Sequence, residues 1–272
     1  MSGISMDCQF SFGPNGAFFV KSSTLWAWSD HKLPEPLRSV LEDTNNPLHC
    51  KQPHDVAFAI EPGVYSMYWT TKANQEMYEA DYLPSYYSKL AAFIANKSAR
   101  TTFGPNHSYF STTESGLSWQ NLPDVLETTI LNRIRIGRPH TVALGVQGAW
   151  IVLFEDGHIS FSVPQLQNLY PNVFALIHNA EENKKRKGIA YVALNPFATG
   201  QYFMAFGDGS SLFTLPNEMH REVQGVAATI RPLPAGNSGG GNDAAGLMVA
   251  SAKFQLAVQQ NMAMQSLFYP RY

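Results

Sequence analysis

The sequence is poor in charge, in cysteine and in long apolar runs, and each shortage excludes a class of protein. Lys and Arg number 19 and Asp and Glu 21, so only 15% of the residues are charged and the formal net charge is −2. Soluble chains average about 25% charged residues. Near-neutrality without a basic stripe excludes a partner held by neutralising phosphates, so no nucleic acid is expected. Two cysteines, Cys8 and Cys50, are too few to staple 272 residues as a disulfide framework. No run of about 18 apolar residues occurs, so no membrane span is expected. Residues 1–8 carry neither a basic nor an apolar signal region, which predicts a cytoplasmic protein.

Familiar chemical motifs are also missing. The eight histidines are scattered and none forms a His-x-x-x-His pair, so no metal and no cofactor is expected. There is no Gly-x-Ser-x-Gly elbow for a nucleophilic serine. Cys50 and His54 are close in sequence, but one Cys and one His make only a weak candidate pair. Gly239-Gly240-Gly241 follows Asn237-Ser238 rather than a strand, so it reads as linker and not as a phosphate loop. Lys184-Lys185-Arg186-Lys187 reads as a solvated helix end or loop.

What the chain does have is aromatics, 12% of it, together with 20 Gly and 17 Pro. These recur on one template. Phe12-Gly13-Pro14-Asn15-Gly16-Ala17-Phe18 is echoed by Phe103-Gly104-Pro105-Asn106-His107-Ser108-Tyr109, by Leu144-Gly145-Val146-Gln147-Gly148-Ala149-Trp150 and by Thr199-Gly200-Gln201-Tyr202. Glu61-Pro62-Gly63-Val64-Tyr65 is a looser copy. The anchors Gly16, Gly63, His107, Gly148 and Gly200 lie 41 to 52 residues apart. Asp156-Gly157, Asp208-Gly209 and Ser115-Gly116 stand at one shared offset beyond their anchors. Val163-Pro164, Leu215-Pro216 and Leu122-Pro123 stand at a second.

Each anchor has a local physical meaning. Gly and Asn permit positive φ, and Pro presets a turn. Asp-Gly is a hairpin turn. Pro opens a helix, where its missing N–H costs nothing. Stretches such as 150–154 read as strands, while 84–94, 123–134 and 216–230 carry apolar residues at helical spacing. The predicted fold class is therefore β-rich α+β, with five pseudo-symmetric strand-strand-strand-helix repeats in a propeller-like ring over residues 6–230. One such unit cannot bury its own apolar face, and stacking neighbours does so. Residues 231–243 read as a Gly-rich linker, and residues 244–272 as a C-terminal helical segment. That helix would dock on its own repeats or on another subunit, which would make a homo-oligomer.

This five-unit pattern resembles the α/β propeller of the pentein family, whose three-strand-plus-helix units surround a pseudo-fivefold axis. It also resembles five-bladed β-propellers of the tachylectin type. Guanidine-modifying penteins use a cysteine late in the chain, and no cysteine follows Cys50, so that activity is not implied.

Recurrent residues are structural first, so function is sought where one unit departs from the template. The second unit departs most. It concentrates Tyr65, Tyr68, Trp69, Tyr78 and Tyr82 beside Glu79 and Asp81, and these seven are the candidate ligand-binding residues. Lys72 to Glu76 reads as an insertion where the other units have a tight hairpin. Aromatic faces near carboxylates suit sugars, cations or flat apolar ligands. The expected function is a ligand-binding or interaction module for a small molecule, glycan or protein. The alternatives are a cofactor-independent isomerase or cyclase, with the carboxylates as acid or base, and a structural subunit.

Overall fold

The computed structural model describes residues 7–234. The greater part of the expected linker, and all of the expected C-terminal helix, lie outside the described residues. The fold is β-rich α+β, with five three-stranded sheets and seven helices among the described residues.

The first unit holds β1 (Gln9–Phe12), β2 (Phe18–Lys21), β3 (Trp26–Trp28) and α1 (Glu35–Glu42). The second holds β4 (Cys50–Phe58), β5 (Tyr65–Thr71), β6 (Glu76–Glu79) and α2 (Pro84–Ile94). The third holds β7 (Ala99–Gly104), β8 (Ser108–Thr113), β9 (Gly116–Gln120) and α3 (Asp124–Arg133). The fourth holds β10 (Pro139–Leu144), β11 (Trp150–Phe154) and β12 (Ile159–Phe161), followed by three short helices, α4 (Val163–Leu169), α5 (Pro171–His178) and α6 (Ala180–Lys185). The fifth holds β13 (Ile189–Leu194), β14 (Tyr202–Phe206), β15 (Ser211–Thr214) and α7 (Asn217–Ala227). Every sheet is an antiparallel meander in sequence order, and none closes on itself.

The turns follow the chemistry of their residues. All five anchors take positive φ: Gly16, Gly63, Gly148 and Gly200, and also His107 at 53°. The hairpin of the second unit is not an insertion. Thr70 pairs with Glu76 across it, and the Thr71 amide donates to Gln75, which leaves a four-residue connection between β5 and β6. The loops between β11 and β12 and between β14 and β15 have the same length. The surplus of this unit lies instead in β4, nine residues long, whose register slips between Cys50 and Gln52 and again between Pro53 and Asp55. Bulges of this kind re-aim side chains.

The core is divided into five clusters, each joining one unit's helix to the next unit's sheet. Leu37 and Leu41 of α1 pack with Phe58, Tyr65 and Trp69. Tyr87 and Leu90 of α2 pack with Phe103 and Tyr109. Leu126 and Ile130 of α3 pack with Trp150 and Phe154. Leu166 and Val173 pack with Tyr202 and Phe206. The last cluster joins the chain's ends: Met219 and Val223 of α7 pack with Phe10, Phe12 and Phe18. The first strands neighbour one another in the same order, β1 with β4, β4 with β7, β7 with β10, β10 with β13, and β13 with β1. In α3, Leu126 and Ile130 are buried, whereas Leu131, one residue further round the helix, is exposed.

Close approach between first strands requires glycine at Gly104. A Cβ there would lie 2.6 Å from the Cβ of Leu144, an atom tied to the backbone of the next unit. Gly104→Ala should therefore lower stability by about 1–3 kcal/mol. Urea unfolding checks this, and an unchanged midpoint would show that β7 and β10 separate freely.

A cleft beside the second sheet and a polar cluster among the first strands

The seven sequence-derived candidates divide in the structure. Tyr65 and Trp69 are buried in the apolar cluster under α1. The Trp69 indole donates to the Leu48 carbonyl at 2.9 Å. These two serve the core and present no ligand face. Tyr82 is exposed, with its ring 6.2 Å from that of Tyr65.

Tyr68, Tyr78, Glu79 and Asp81 are brought together. They line one cleft of about 370 Å³ between the second unit and β7. Tyr68 and Tyr78 are cross-strand partners on β5 and β6, which is why their rings stack at 4.7 Å and 3°. His54, at the second slip of β4, lies against Tyr68 at 4.5 Å and shares a hydrogen bond with Thr70 at 2.7 Å. Burial and the nearby Glu76 carboxylate raise the Tyr68 hydroxyl above its ordinary value. The Tyr78 hydroxyl donates to Glu76 at 3.1 Å. The Asp81 backbone N–H donates to Glu79 at 3.0 Å, which holds the Glu79 carboxylate at the end of β6. Ala91, Ile94 and Ala95 of α2 and its C-cap supply the apolar wall, and Lys97 follows them.

The most buried polar groups lining the cleft are Asp55, Ser66 and Thr101. Asp55 and Thr101 also line a second, smaller cavity of about 30 Å³, room for one water-sized occupant, which Cys8, Gln9, Lys21, His54, Arg100, His140 and Tyr191 share. This cluster escaped the reading of the sequence. Strand pairing shows what its members share: Gln9, Asp55, Arg100, Thr141 and Tyr191 each lie three residues before the first-strand residue that pairs with the repeated aromatic. One repeat position therefore carries five different polar residues.

Three of them do the same job. The Gln9 amide accepts from the Val56 N–H at 3.0 Å and donates to the Val56 carbonyl at 3.1 Å. Asp55 accepts from the Thr101 N–H at 3.3 Å. The Tyr191 hydroxyl accepts from the Phe10 N–H at 3.0 Å and donates to the Phe10 carbonyl at 2.9 Å. Each side chain satisfies backbone groups of the next first strand, where no strand ladder runs between sheets. Buried backbone groups need such partners.

Burial sets the acidities. Asp55 is pushed up to about 7 by burial, against the opposing pull of Arg100, the Thr101 N–H, Lys21 and the Gln9 amide. His140 is pushed down to about 4 by burial, with Arg100 adding to the effect. The Cys8 and Cys50 thiols are raised to about 12 by burial, so neither is a nucleophile near neutral pH. Cys50 sits in the apolar cluster while His54 faces Tyr68, so the candidate Cys–His pair is not assembled. Among the described residues, no three His, Cys, Asp or Glu side chains are grouped as metal ligands would be. No helix among them is long and apolar enough to cross a membrane.

Comparison with protein-family profiles, with curated proteins and with solved structures returns no match.

Proposed function

We propose that the five sheets of residues 7–234 close into a pseudo-fivefold propeller, and that this propeller is a binding module for a small molecule. The ring is supported by the cyclic order of first-strand neighbours and by the cluster that packs α7 against β1 and β2. The ligand site is the cleft between the second and third units. One observation carries that reading: the cleft of about 370 Å³ is walled on one side by the parallel Tyr68–Tyr78 stack and bordered by Glu79 and Asp81. Ligand pockets have volumes of about 300–1,000 Å³, with a largely apolar lining and a few placed polar groups. The four-residue hairpin after β5 gives no support to a separate binding loop, so the site is built on strands, one helix and the residues that flank them.

The test is ligand-observed NMR of the full chain with a library of polar metabolite-sized compounds. Ala95→Trp, at an exposed position lining the cleft, should abolish the signals of the compounds that bind. Compounds that bind the wild type and the variant equally would place the ligand elsewhere.

A further inference from the structure

The cleft holds an imbalance of charge and an unanswered hydroxyl. Its lining carries two carboxylates, Glu79 and Asp81, against one ammonium, Lys97, and a third carboxyl, Asp55, whose oxygens are already taken by the Gln9 amide and the Thr101 N–H. The Lys97 ammonium lies 5.4 Å from the centre of the Phe93 ring, which is not part of the lining. Ser66, only 3% exposed, borders the cleft from β5, and its buried Oγ has no hydrogen-bond partner. A buried hydroxyl without a partner costs about 1–3 kcal/mol unless something in the site answers it. The stacked Tyr68 and Tyr78 present π-faces, which attract cations as well as flat apolar groups.

We propose that the ligand of this cleft is a small organic cation, a protonated amine on a flat or aliphatic body, whose ammonium hydrogen-bonds Ser66 Oγ and is balanced by the cleft's carboxylates. This rests on the reading of the cleft as the ligand site. An ammonium brings three donors and no acceptor, which suits a wall richer in carboxylate and hydroxyl oxygens than in free cations. A carboxylate ligand would meet like charges there. A neutral sugar would satisfy Ser66 but leave the acidic excess unbalanced. The charged groups on the far side of Asp55, Lys21 and Arg100, face the smaller cavity, which the amine does not enter. Lys21 is there paired with Asp7 at 2.5 Å.

The experiment compares probes that share one skeleton: tyramine as the cation, tyrosol as its neutral alcohol, 4-hydroxyphenylacetate as its anion, with methyl glucoside as a sugar. Binding to the full chain is followed by calorimetry and NMR. Tyramine should bind at least about tenfold more tightly than tyrosol, a gap of the size one ionic contact provides. The anion should show no binding. Asp81→Asn, at an exposed position, should lower tyramine affinity about three- to tenfold and leave tyrosol unchanged. Ser66→Ala should weaken tyramine, with unchanged circular dichroism showing that the fold is intact. Equal binding of tyrosol or glucoside, or of any neutral or anionic compound sensitive to Ala95→Trp while tyramine fails, overturns the cation inference and leaves the cleft as the site. Failure to find any compound sensitive to Ala95→Trp overturns both.

Discussion

Tyr191→Phe should lower the unfolding free energy by about 2–4 kcal/mol, read from urea titration at constant slope. The substitution removes one oxygen atom and keeps the ring. That oxygen accepts the N–H and donates to the carbonyl of Phe10, a residue 3% exposed. Both backbone groups would lose their partner, and each unsatisfied group costs about 1–3 kcal/mol. Removing the hydroxyl also relieves the cost of burying it, so the lower part of the summed range is expected. The bond joins the fifth unit to the first across 181 positions of sequence. In the proposed ring this contact is the seam, so its loss should loosen the first and last units from each other. Amide exchange of Phe10 and its neighbours should then quicken more than that of β8. A change under about 0.5 kcal/mol would mean that water replaces the hydroxyl and that the seam carries little.

The second large effect is on pH dependence, and it turns on Asp55. Its carboxyl is raised to about 7 in the folded protein, mainly by burial. The unfolded value is about 3.9. Between these values the folded state binds more protons than the unfolded state. The stability contributed by Asp55 is therefore complete below about pH 4 and is lost as pH rises through about 7. Each pH unit inside that window is worth at most about 1.4 kcal/mol. The advantage of wild type over Asp55→Asn should thus shrink by about 3 kcal/mol from pH 4 to pH 7 and stay level above it. His140 acts in the opposite sense. Its pKa is lowered to about 4, so its contribution is present above about pH 6.5 and lost as pH falls through 4. It is present in both proteins and largely cancels from the difference. Chemical unfolding at several pH values measures the slope, and a difference that does not vary with pH would show that Asp55 stays ionised in the fold.

Both effects arise at one repeat position, whose spacing from the turn is shared by only three of the five units. Counted back from the turn anchors, Gln9, Arg100 and Thr141 stand seven residues away, Asp55 eight and Tyr191 nine, so only strand pairing brings the five into register. A polar residue at an alternating strand position reads as solvent-facing when only period two is considered. The reverse holds for Tyr65 and Trp69. They share a stretch with Tyr68, and strand alternation separates the two faces only once the sheet's covered side is known. Of the two bulges in β4, Pro53 marks the second, since proline inside a strand is confined to edges and bulges, whereas the slip between Cys50 and Gln52 carries no glycine or proline.

What the sequence determined by itself was local and repeated. The positive φ of Gly16, Gly63, Gly148 and Gly200, the strand Trp150–Phe154 and the helix Pro84–Ile94 follow from turn chemistry, periodicity and proline. Five copies of these signals set the count of five sheets. What only the tertiary structure decided was which surfaces meet. The packing of α7 on β1 and β2, the gathering of Tyr68, Tyr78, Glu79 and Asp81 into one cleft, and the burial of Asp55 depend on contacts between residues far apart in the chain. Turn and helix preferences act over a few residues, whereas burial and the electrostatics it controls belong to the assembled units.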